Sequence, residues 1–285
     1  MRDFSVRTPE KQIDRILADE ALRDNTYVMP TNHFHPYFEL YYLESGSCRF
    51  FLADRMLDLH AGDLLLIPPR TLHYTRYLFG PCRRFDLFFR PMDLEEEVTA
   101  SFPGQADFFR RWQLLQIPVF YREPLCALFG RMVGELKIDD ARTPLLQRCR
   151  LQELMLVCGR VGLSSETLPA DIHTTDQSIL RAAEFMRERF REPLTAGQIA
   201  SAAGLSADYL SRRFRQATGM AVHEYLRFVR LQQAALELLE TRDSVTDIAL
   251  RCGFSGGNYF KDCFRSQFGQ SPREYRGTGA GTKIR

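Results

Sequence analysis

Gln198-Ile199-Ala200-Ser201-Ala202-Ala203-Gly204-Leu205-Ser206-Ala207-Asp208-Tyr209-Leu210-Ser211-Arg212-Arg213-Phe214-Arg215 decides how this chain is read, because it is written a second time. The second version runs Asp247-Ile248-Ala249, Gly253-Phe254-Ser255, Tyr259-Phe260 and Phe264-Arg265. Each copy continues to a glycine and a Glu-Tyr pair, Gly219 with Glu224-Tyr225 and Gly269 with Glu274-Tyr275. The offset is 49 residues before the Gly-x-Ser turn and 50 after it, so the second turn carries one extra residue. A short helix, a tight glycine turn and a longer helix make a helix-turn-helix. In that motif the second helix enters the major groove of duplex DNA.

Outward from the repeat, the helical signals continue. Gln177–Phe190 has the apolar positions of a helix, and Thr195-x-x-Gln198 is a capping box opening the next one. Gly204 suits a left-handed turn and Ser206 an N-cap. Leu210 and Phe214 are expected inward, leaving Asp208, Ser211, Arg212, Arg215 and Gln216 outward. Residues 220–241 read as one connecting helix, followed by a Ser244-x-x-Asp247 cap and a second outward helix over 256–268. There Phe260, Phe264 and Phe268 face in, while Asn258, Lys261, Asp262 and Arg265 face out. From about residue 223 the connector spans ~28 Å at 1.5 Å per residue. One turn of B-DNA is ~34 Å, so two reading helices fit successive grooves on one side of a duplex. Ser271-Pro272-Arg273-Glu274 opens a last short helix, and the tail from Gly277 is expected to fray.

These motifs make residues 180–276 similar to the DNA-binding domain of the AraC/XylS family of bacterial transcription regulators. The carriers are Ile199-Ala200, Ala203-Gly204-Leu205-Ser206, Tyr209-Leu210-Ser211-Arg212-x-Phe214 and Arg230-Leu231. With them go Val245-x-x-Ile248-Ala249-x-x-Cys252-Gly253-Phe254-Ser255, Tyr259-Phe260-x-x-x-Phe264-Arg265, Phe268-Gly269 and Ser271-Pro272-x-x-Tyr275-Arg276. The resemblance implies base-facing positions at Asp208, Ser211 and Arg212 in the first copy. In the second it implies Gly257, Asn258, Lys261 and Asp262. Arg212 suits bidentate contact with guanine and Asn258 with adenine, while Arg215 and Arg265 suit phosphate. Asp262 stands where the family often has arginine, and Gly256-Gly257 removes side chains from the start of the second reading helix. The first copy is therefore expected to carry more of the specificity. A sensor cupin in front of this domain is the layout the resemblance implies.

The first hundred residues have a different texture. Residues 10–24 read as a short exposed helix. Aromatic and aliphatic runs then follow at Phe38–Leu43, Cys48–Leu52, Leu64–Pro68, Leu72–Phe79 and Arg84–Phe89. Turn signals separate them at 44–47, 53–55 and 60–63, the pattern of a small antiparallel barrel or sandwich. Two stretches resemble the cupin motifs: His33-x-His35 with Glu39 and Gly46, and Gly62 with Pro68 and His73. Arg70 stands where the second motif has glycine, and Tyr77 where it often has asparagine. In metal-binding cupins such residues converge inside the barrel, and a strand period of two places 33, 35, 37, 39 and 41 on one face. His33, His35, Glu39 and His73 are then either hydrogen-bonded pocket residues or ligands for zinc, iron, copper or nickel. His33, His35, Tyr37, Glu39, Tyr41 and His73 are the candidates for an effector pocket.

Residues 91–118 are mixed; Asp93–Glu97 reads as an acidic helix start. Two amphipathic helices follow. One opens at Glu123-Pro124 with Leu125, Leu128, Phe129, Met132, Val133 and Leu136. The other opens at Thr143-Pro144 with Leu145, Leu146, Cys149, Leu154, Met155, Val157, Cys158 and Val161. Their stripes fit either packing on the barrel or a dimer seam. Leu163–Thr175 is rich in Ser, Thr and Pro without period and reads as a linker.

Residues 176–285 hold 17 Lys/Arg against 12 Asp/Glu, whereas residues 1–175 hold 21 against 24. The basic half is the half with the repeat, as a phosphate-binding surface requires. The seven cysteines are odd in number and scattered without a C-x-x-C, which points to reduced thiols rather than disulfides or a zinc site. No apolar run reaches the ~20 residues of a membrane helix, and with no apolar stretch near residue 1 no secretion signal is expected. There is no Gly-x-Ser-x-Gly, phosphate loop or nucleotide fingerprint.

The expected protein is multidomain, with an all-β cupin-like barrel and appended helices before an all-α double helix-turn-helix domain. Its expected boundaries are 1–118 for the sensor, 119–162 for the helical segment, 163–176 for the linker and 177–285 for the DNA-binding domain. It is expected to be a cytoplasmic regulator, not an enzyme, that binds double-stranded promoter or operator DNA and a small-molecule effector. It needs no resident cofactor in this reading, forms a homodimer, contacts RNA polymerase if it activates, and has no membrane partner. The alternative is a cupin metalloenzyme, a dioxygenase or isomerase, fused to a DNA-binding tail.

Overall fold

Strand β2 (Phe38–Leu52) is the spine of the N-terminal half. In the computed structural model, which describes residues 13–27, 35–52, 55–102, 104, 108–164 and 177–279, it pairs antiparallel with three strands. These are β3 (Arg55–His60), β4 (Asp63–Ile67) and β5 (His73–Phe89). β1 (Leu17–Arg23) joins the outer edge of β5, and β6 (Gln113–Gln116) that of β4. The order is β1-β5-β2-β4-β6, with β3 on β2. The chain divides into two compact units, 1–174 and 175–285.

Alternation decides which side chain goes where. One face of the sheet, with Phe38, Leu40, Tyr42, Phe85, Leu87 and Phe89, packs on helices α2 (Val119–Ile138) and α3 (Thr143–Ser164). Leu125, Leu128, Phe129 and Met132 of the first helix and Leu151, Leu154, Met155 and Cys158 of the second fill that layer. The other face clusters on itself. Tyr41, Leu43, Cys48, Phe50, Leu52, Leu57, Leu59, Leu65, Ile67 and Tyr77 form one buried group drawn from four strands. The sheet curls around this group, helped by register shifts in β2 between Leu43 and Cys48.

Several expectations need correction. Residues 17–23 form a strand, not part of a helix. Leu17-Ala18-Asp19-Glu20-Ala21-Leu22-Arg23 has good helix propensity, but full antiparallel pairing with Phe88 through Cys82 outweighs it. The expected turn at 44–47 is a bulged stretch inside β2, with Gly46 at φ 87. The runs at 72–79 and 84–89 are one strand through Gly80-Pro81. β3 and β6 lie in stretches the periodicity did not mark. The acidic start near Asp93 precedes a short helix, α1 (Glu96–Ala100), with Glu96 and Glu97 in its first turn, while Asp93 itself closes the 3-10 turn Pro91–Asp93 by accepting from the Arg90 backbone. α2 opens at Val119, so Pro124 lies within the helix rather than at its first position. In α3, Leu145, Leu146 and Cys149 are exposed and Leu151 is buried instead.

The C-terminal unit is all helical. Its elements are α4 (Gln177–Glu188), α5 (Ala196–Ala203), α6 (Ala207–Thr218), α7 (Val222–Glu240), α8 (Val245–Arg251), α9 (Gly257–Phe268) and α10 (Pro272–Gly279). Caps start them where the residues ask. Thr195 and Gln198 make a reciprocal capping box, and Ser206 and Ser244 each accept from the third residue on. Gly204, Gly219 and Gly269 end helices in the left-handed region, which glycine adopts without the Cβ clash. α7 is shared by both copies: Phe214 meets Tyr225 edge-on in the first. In the second, Leu231, Ala234, Ala235 and Leu238 pack with Ile248, Ala249, Phe254, Phe260, Phe264 and Tyr275.

Candidate nucleic-acid interface and effector site

In α6, Leu210 and Phe214 are fully buried, which locks the opposite face outward. Asp208, Ser211, Arg212 and Arg215 lie on that exposed face. The Arg212 guanidinium sits 5.4 Å from the Tyr209 ring centroid, a cation–π contact that stiffens a long side chain before it meets a partner. In α9, Phe260 and Phe264 play the anchoring part, and Asn258, Lys261, Asp262 and Arg265 are exposed. Gly257 is half-buried beside Thr246. The two reading helices thus offer guanidinium, amide, ammonium and carboxylate groups from rigid apolar bases, the donor and acceptor set for base edges and phosphates.

A junction that the sequence reading did not assign holds the second copy in place. Arg230 of α7 donates from Nε to the Phe190 carbonyl and from Nη2 to that of Glu192, both at 2.7 Å. A Cβ on Gly253 (φ 82) would lie 2.8 Å from the Phe190 oxygen and 2.9 Å from Arg230 Nε. The second turn therefore requires glycine for close approach as well as for its dihedral. Arg251 adds ion pairs to Glu237 and Asp243 at 2.7 Å. Arg276 donates to the carbonyls of Leu238 and Asp243. The signal was present in the Arg230-Leu231 motif, but sequence alone does not say which carbonyls a guanidinium reaches.

In the N-terminal unit the expected histidines and glutamate converge. His35 Nε2 lies 2.9 Å and His73 Nε2 3.1 Å from the same Glu39 oxygen, Oε2. All three residues are buried. Each imidazole rests its Nδ1 2.9 Å from a backbone carbonyl, that of Tyr37 for His35 and that of Thr71 for His73. Tyr37 stacks on His35 with ring centroids 4.2 Å apart. Burial alone would raise the Glu39 carboxyl, but His73 and His35 outweigh it and hold it well below its ordinary range. Burial disfavours a charged His73, yet Glu39 prevails and raises it; for His35 burial prevails and lowers it. Among the described residues these three are the group of His, Cys, Asp or Glu whose donor atoms lie within 4.8 Å of one another, as metal ligands do. His33 lies outside the described residues.

Tyr41 faces the same interior but belongs to a different neighbourhood. Its hydroxyl contacts Cys48 Sγ at 3.4 Å, and it stands in register beside Asp86 of β5, which in turn stands beside Asp19 of β1. Arg84 contacts Asp19 Oδ2 at 3.2 Å and pairs with Asp86. One guanidinium serves two adjacent buried carboxylates. Burial pushes Asp86 up to about 8, against the pull of Arg84, with Glu39 and Asp19 adding to the rise. Asp86 Oδ1 is buried without a hydrogen-bond partner. Sequence reading missed Arg84, Asp86 and Asp19. In Arg84–Phe89 the apolar residues looked like the inward ones, whereas Phe85 and Leu87 face the helices and the charged residues face in.

Comparison with known proteins agrees with both halves. The helix-turn-helix domain family matches residues 199–278, and the AraC-like ligand binding domain family matches residues 20–155. The HTH-type transcriptional activator RhaS of Klebsiella pneumoniae is 32% identical over 255 residues, covering 86% of either chain. The activator RhaR of Mannheimia succiniciproducens is 26% identical over 252 residues, again 86% of either chain. Among solved structures, a Chromobacterium violaceum regulator with an AraC-type DNA-binding domain is 34% identical, with a TM-score of 0.36. It covers 37% of this chain and 94% of that one. Nothing in these likenesses supports the alternative of a metalloenzyme with a DNA-binding tail. With a ligand-binding domain in front and a doubled helix-turn-helix behind, the chain belongs to the AraC family of DNA-binding transcription regulators.

Proposed function

We propose that this regulator reads two successive major grooves of a promoter and responds to a small molecule held inside its N-terminal sheet. The carrying observation is the pair of exposed, rigidly based reading helices joined by a 19-residue helix. That helix is ~28 Å long at 1.5 Å per residue, matched to a groove repeat of ~34 Å. Asp208, Ser211, Arg212, Asn258, Lys261 and Asp262 read bases, and Arg215 and Arg265 hold phosphates. Sites selected by the full-length protein from a random DNA pool test this. Two short conserved blocks about one helical turn apart are expected, and an unselective pool would refute it.

The effector site in this reading is His35, Tyr37, Glu39, Tyr41 and His73, with His33 completing it. Buried Asp86 and Asp19, with the mostly buried Arg84 between them beside Tyr41, support a polar, ligand-binding interior. An effector acts by binding one arrangement of the regulator better than another. The domain boundaries are 1–118, 119–162, 163–176 and 177–285, the third being a linker. Activation of transcription through RNA polymerase, by analogy with the named relatives, and a cytoplasmic location complete the reading. The described residues contain no helix long and apolar enough to cross a membrane.

A homodimer is part of the proposal, and the exposed face of α3 supports it. Leu145 and Leu156 are 67% and 46% exposed and Cys149 is exposed between them, spaced to share one helix face. Replacing Leu145 and Leu156 by serine is expected to shift sedimentation from dimer to monomer at micromolar concentration. An unchanged dimer would move the seam elsewhere.

A further inference from the structure

We propose that His35, Glu39 and His73 bind a divalent transition-metal cation inside the sensor domain. The argument starts from hydrogens. Four short contacts of the two imidazoles, one at each ring nitrogen, go to oxygens: the carbonyls of Tyr37 and Thr71 at the Nδ1 atoms, and Glu39 Oε2 at both Nε2 atoms. Carbonyl and carboxylate oxygens accept and do not donate. Two neutral imidazoles bring two N–H groups to four acceptors. If the Nδ1 atoms carry them, two nitrogen lone pairs point at one carboxylate oxygen. If the Nε2 atoms carry them, two lone pairs point at carbonyls. A protonated Glu39, or one imidazolium, adds a single hydrogen; two imidazoliums meet all four acceptors only by burying a net positive charge beside one carboxylate, and short of that one contact stays unmet. In a buried site such a contact is costly.

A cation resolves the conflict with the side chains as they stand. Both Nδ1–H groups donate to the carbonyls, which fixes the rings and leaves each Nε2 lone pair free to coordinate, the usual outer support of a metal-binding histidine. The inner donors are then two imidazole nitrogens and one carboxylate oxygen, a set that suits iron, nickel, copper or zinc. The spacing agrees. Donors about 2.1 Å from a metal lie about 3.0 Å apart along an octahedral edge, and the two nitrogen-to-oxygen separations are 2.9 and 3.1 Å. The elements hold the trio in place. Glu39 sits in mid-sheet between Phe88 of β5 and Ile67 of β4. His73 opens β5, and the Tyr37 ring stacks on His35 with Phe88 at the edge of both rings.

Three protein donors leave coordination positions for an outside ligand. The chemistry that fits is a molecule offering oxygen donors, a hydroxyl beside a carbonyl or carboxylate. This role, though not the metal affinity, rests on the reading of the N-terminal unit as the effector domain.

The test uses the full-length protein, stripped with a chelator and titrated separately with Ni²⁺, Zn²⁺ and, without oxygen, Fe²⁺. Bound metal is counted by mass spectrometry after desalting, beside thermal melting. About one metal per chain is expected, with a raised melting temperature, and Glu39→Gln or His73→Gln is expected to weaken binding by at least tenfold. No retained metal in the parent protein would overturn the inference. So would equal retention by variants that melt like the parent before metal is added. Should those variants fail to fold, Co²⁺ added to the parent protein decides. Nitrogen-shifted d–d bands support the site, and the spectrum of the aqueous ion contradicts it. Footprinting the same samples keeps the two readings apart: metal without a sequence-selective footprint upholds the site and sinks the regulator reading, and the reverse does the opposite.

Discussion

Arg212 and Arg265 occupy unlike places on like helices, and the difference is testable. Arg212 lies in the middle of α6, stiffened by Tyr209, and in the proposed reading its guanidinium meets guanine. Arg212→Ala is expected to relax preference at one base pair, worth about 1–3 kcal/mol of discrimination. Arg265 lies in the last turn of α9. Arg265→Ala is expected to weaken all sequences alike and reduce the salt slope by about one. Binding titrations on selected and scrambled sites at several salt concentrations check both, and equal behaviour of the two variants defeats the assignment. In the sensor interior, Asp86 is the residue to titrate. Its folded pKa of about 8 lies above that of an unfolded carboxylate, near 4. The folded state therefore holds the extra proton between those values, and stability falls as pH rises through that window. Asp86→Asn cannot ionise. Relative to the parent it is expected to gain stability from pH 5 to 8, by no more than about 1.4 kcal/mol per pH unit, in urea unfolding curves. A parent and variant that keep a constant difference would show that Asp86 is already ionised.

At the scale of elements, the two turns are alike in dihedral and unlike in surroundings. Gly204 has φ 70 with nothing within 4 Å of an added Cβ, whereas at Gly253 the Cβ meets the Phe190 carbonyl and Arg230. Gly204→Ala is expected to cost about 1 kcal/mol. Gly253→Ala is expected to cost at least twice that and to impair DNA binding, as read by chemical unfolding and mobility shift. Equal costs would mean that the Arg230 junction yields freely. The helical unit was legible from sequence because its signals are local: capping residues, glycines with positive φ, and a stripe every three to four residues. Ser206, Ser244 and Thr195 each cap the helix they precede. The sheet was less legible because its determinants are distant. Leu17–Arg23 is a strand through β5, whose paired residues lie 59 to 71 positions away in sequence. Arg84 and Asp86 point inward because Phe85 and Leu87 are needed under helices α2 and α3. His35, Glu39 and His73 could be named from their spacing, but their shared carboxylate oxygen is visible only in three dimensions.

In the whole molecule a ligand-binding domain precedes a doubled helix-turn-helix domain, and the proposed reading of DNA depends on the spacing between the two copies. α7 is a rigid spacer with both helix-turn-helix copies built onto it: Tyr225 near one end packs with Phe214, and Leu238 near the other packs with the second copy. The spacer sets which base pairs are read together. Methylation interference on a site selected by the full-length protein measures this directly. Two clusters of major-groove contacts are expected, centred about 10–10.5 base pairs apart on one face of the duplex, the first lost in Arg212→Ala and the second in Asn258→Ala. A single cluster, or two clusters on opposite faces, would contradict this reading.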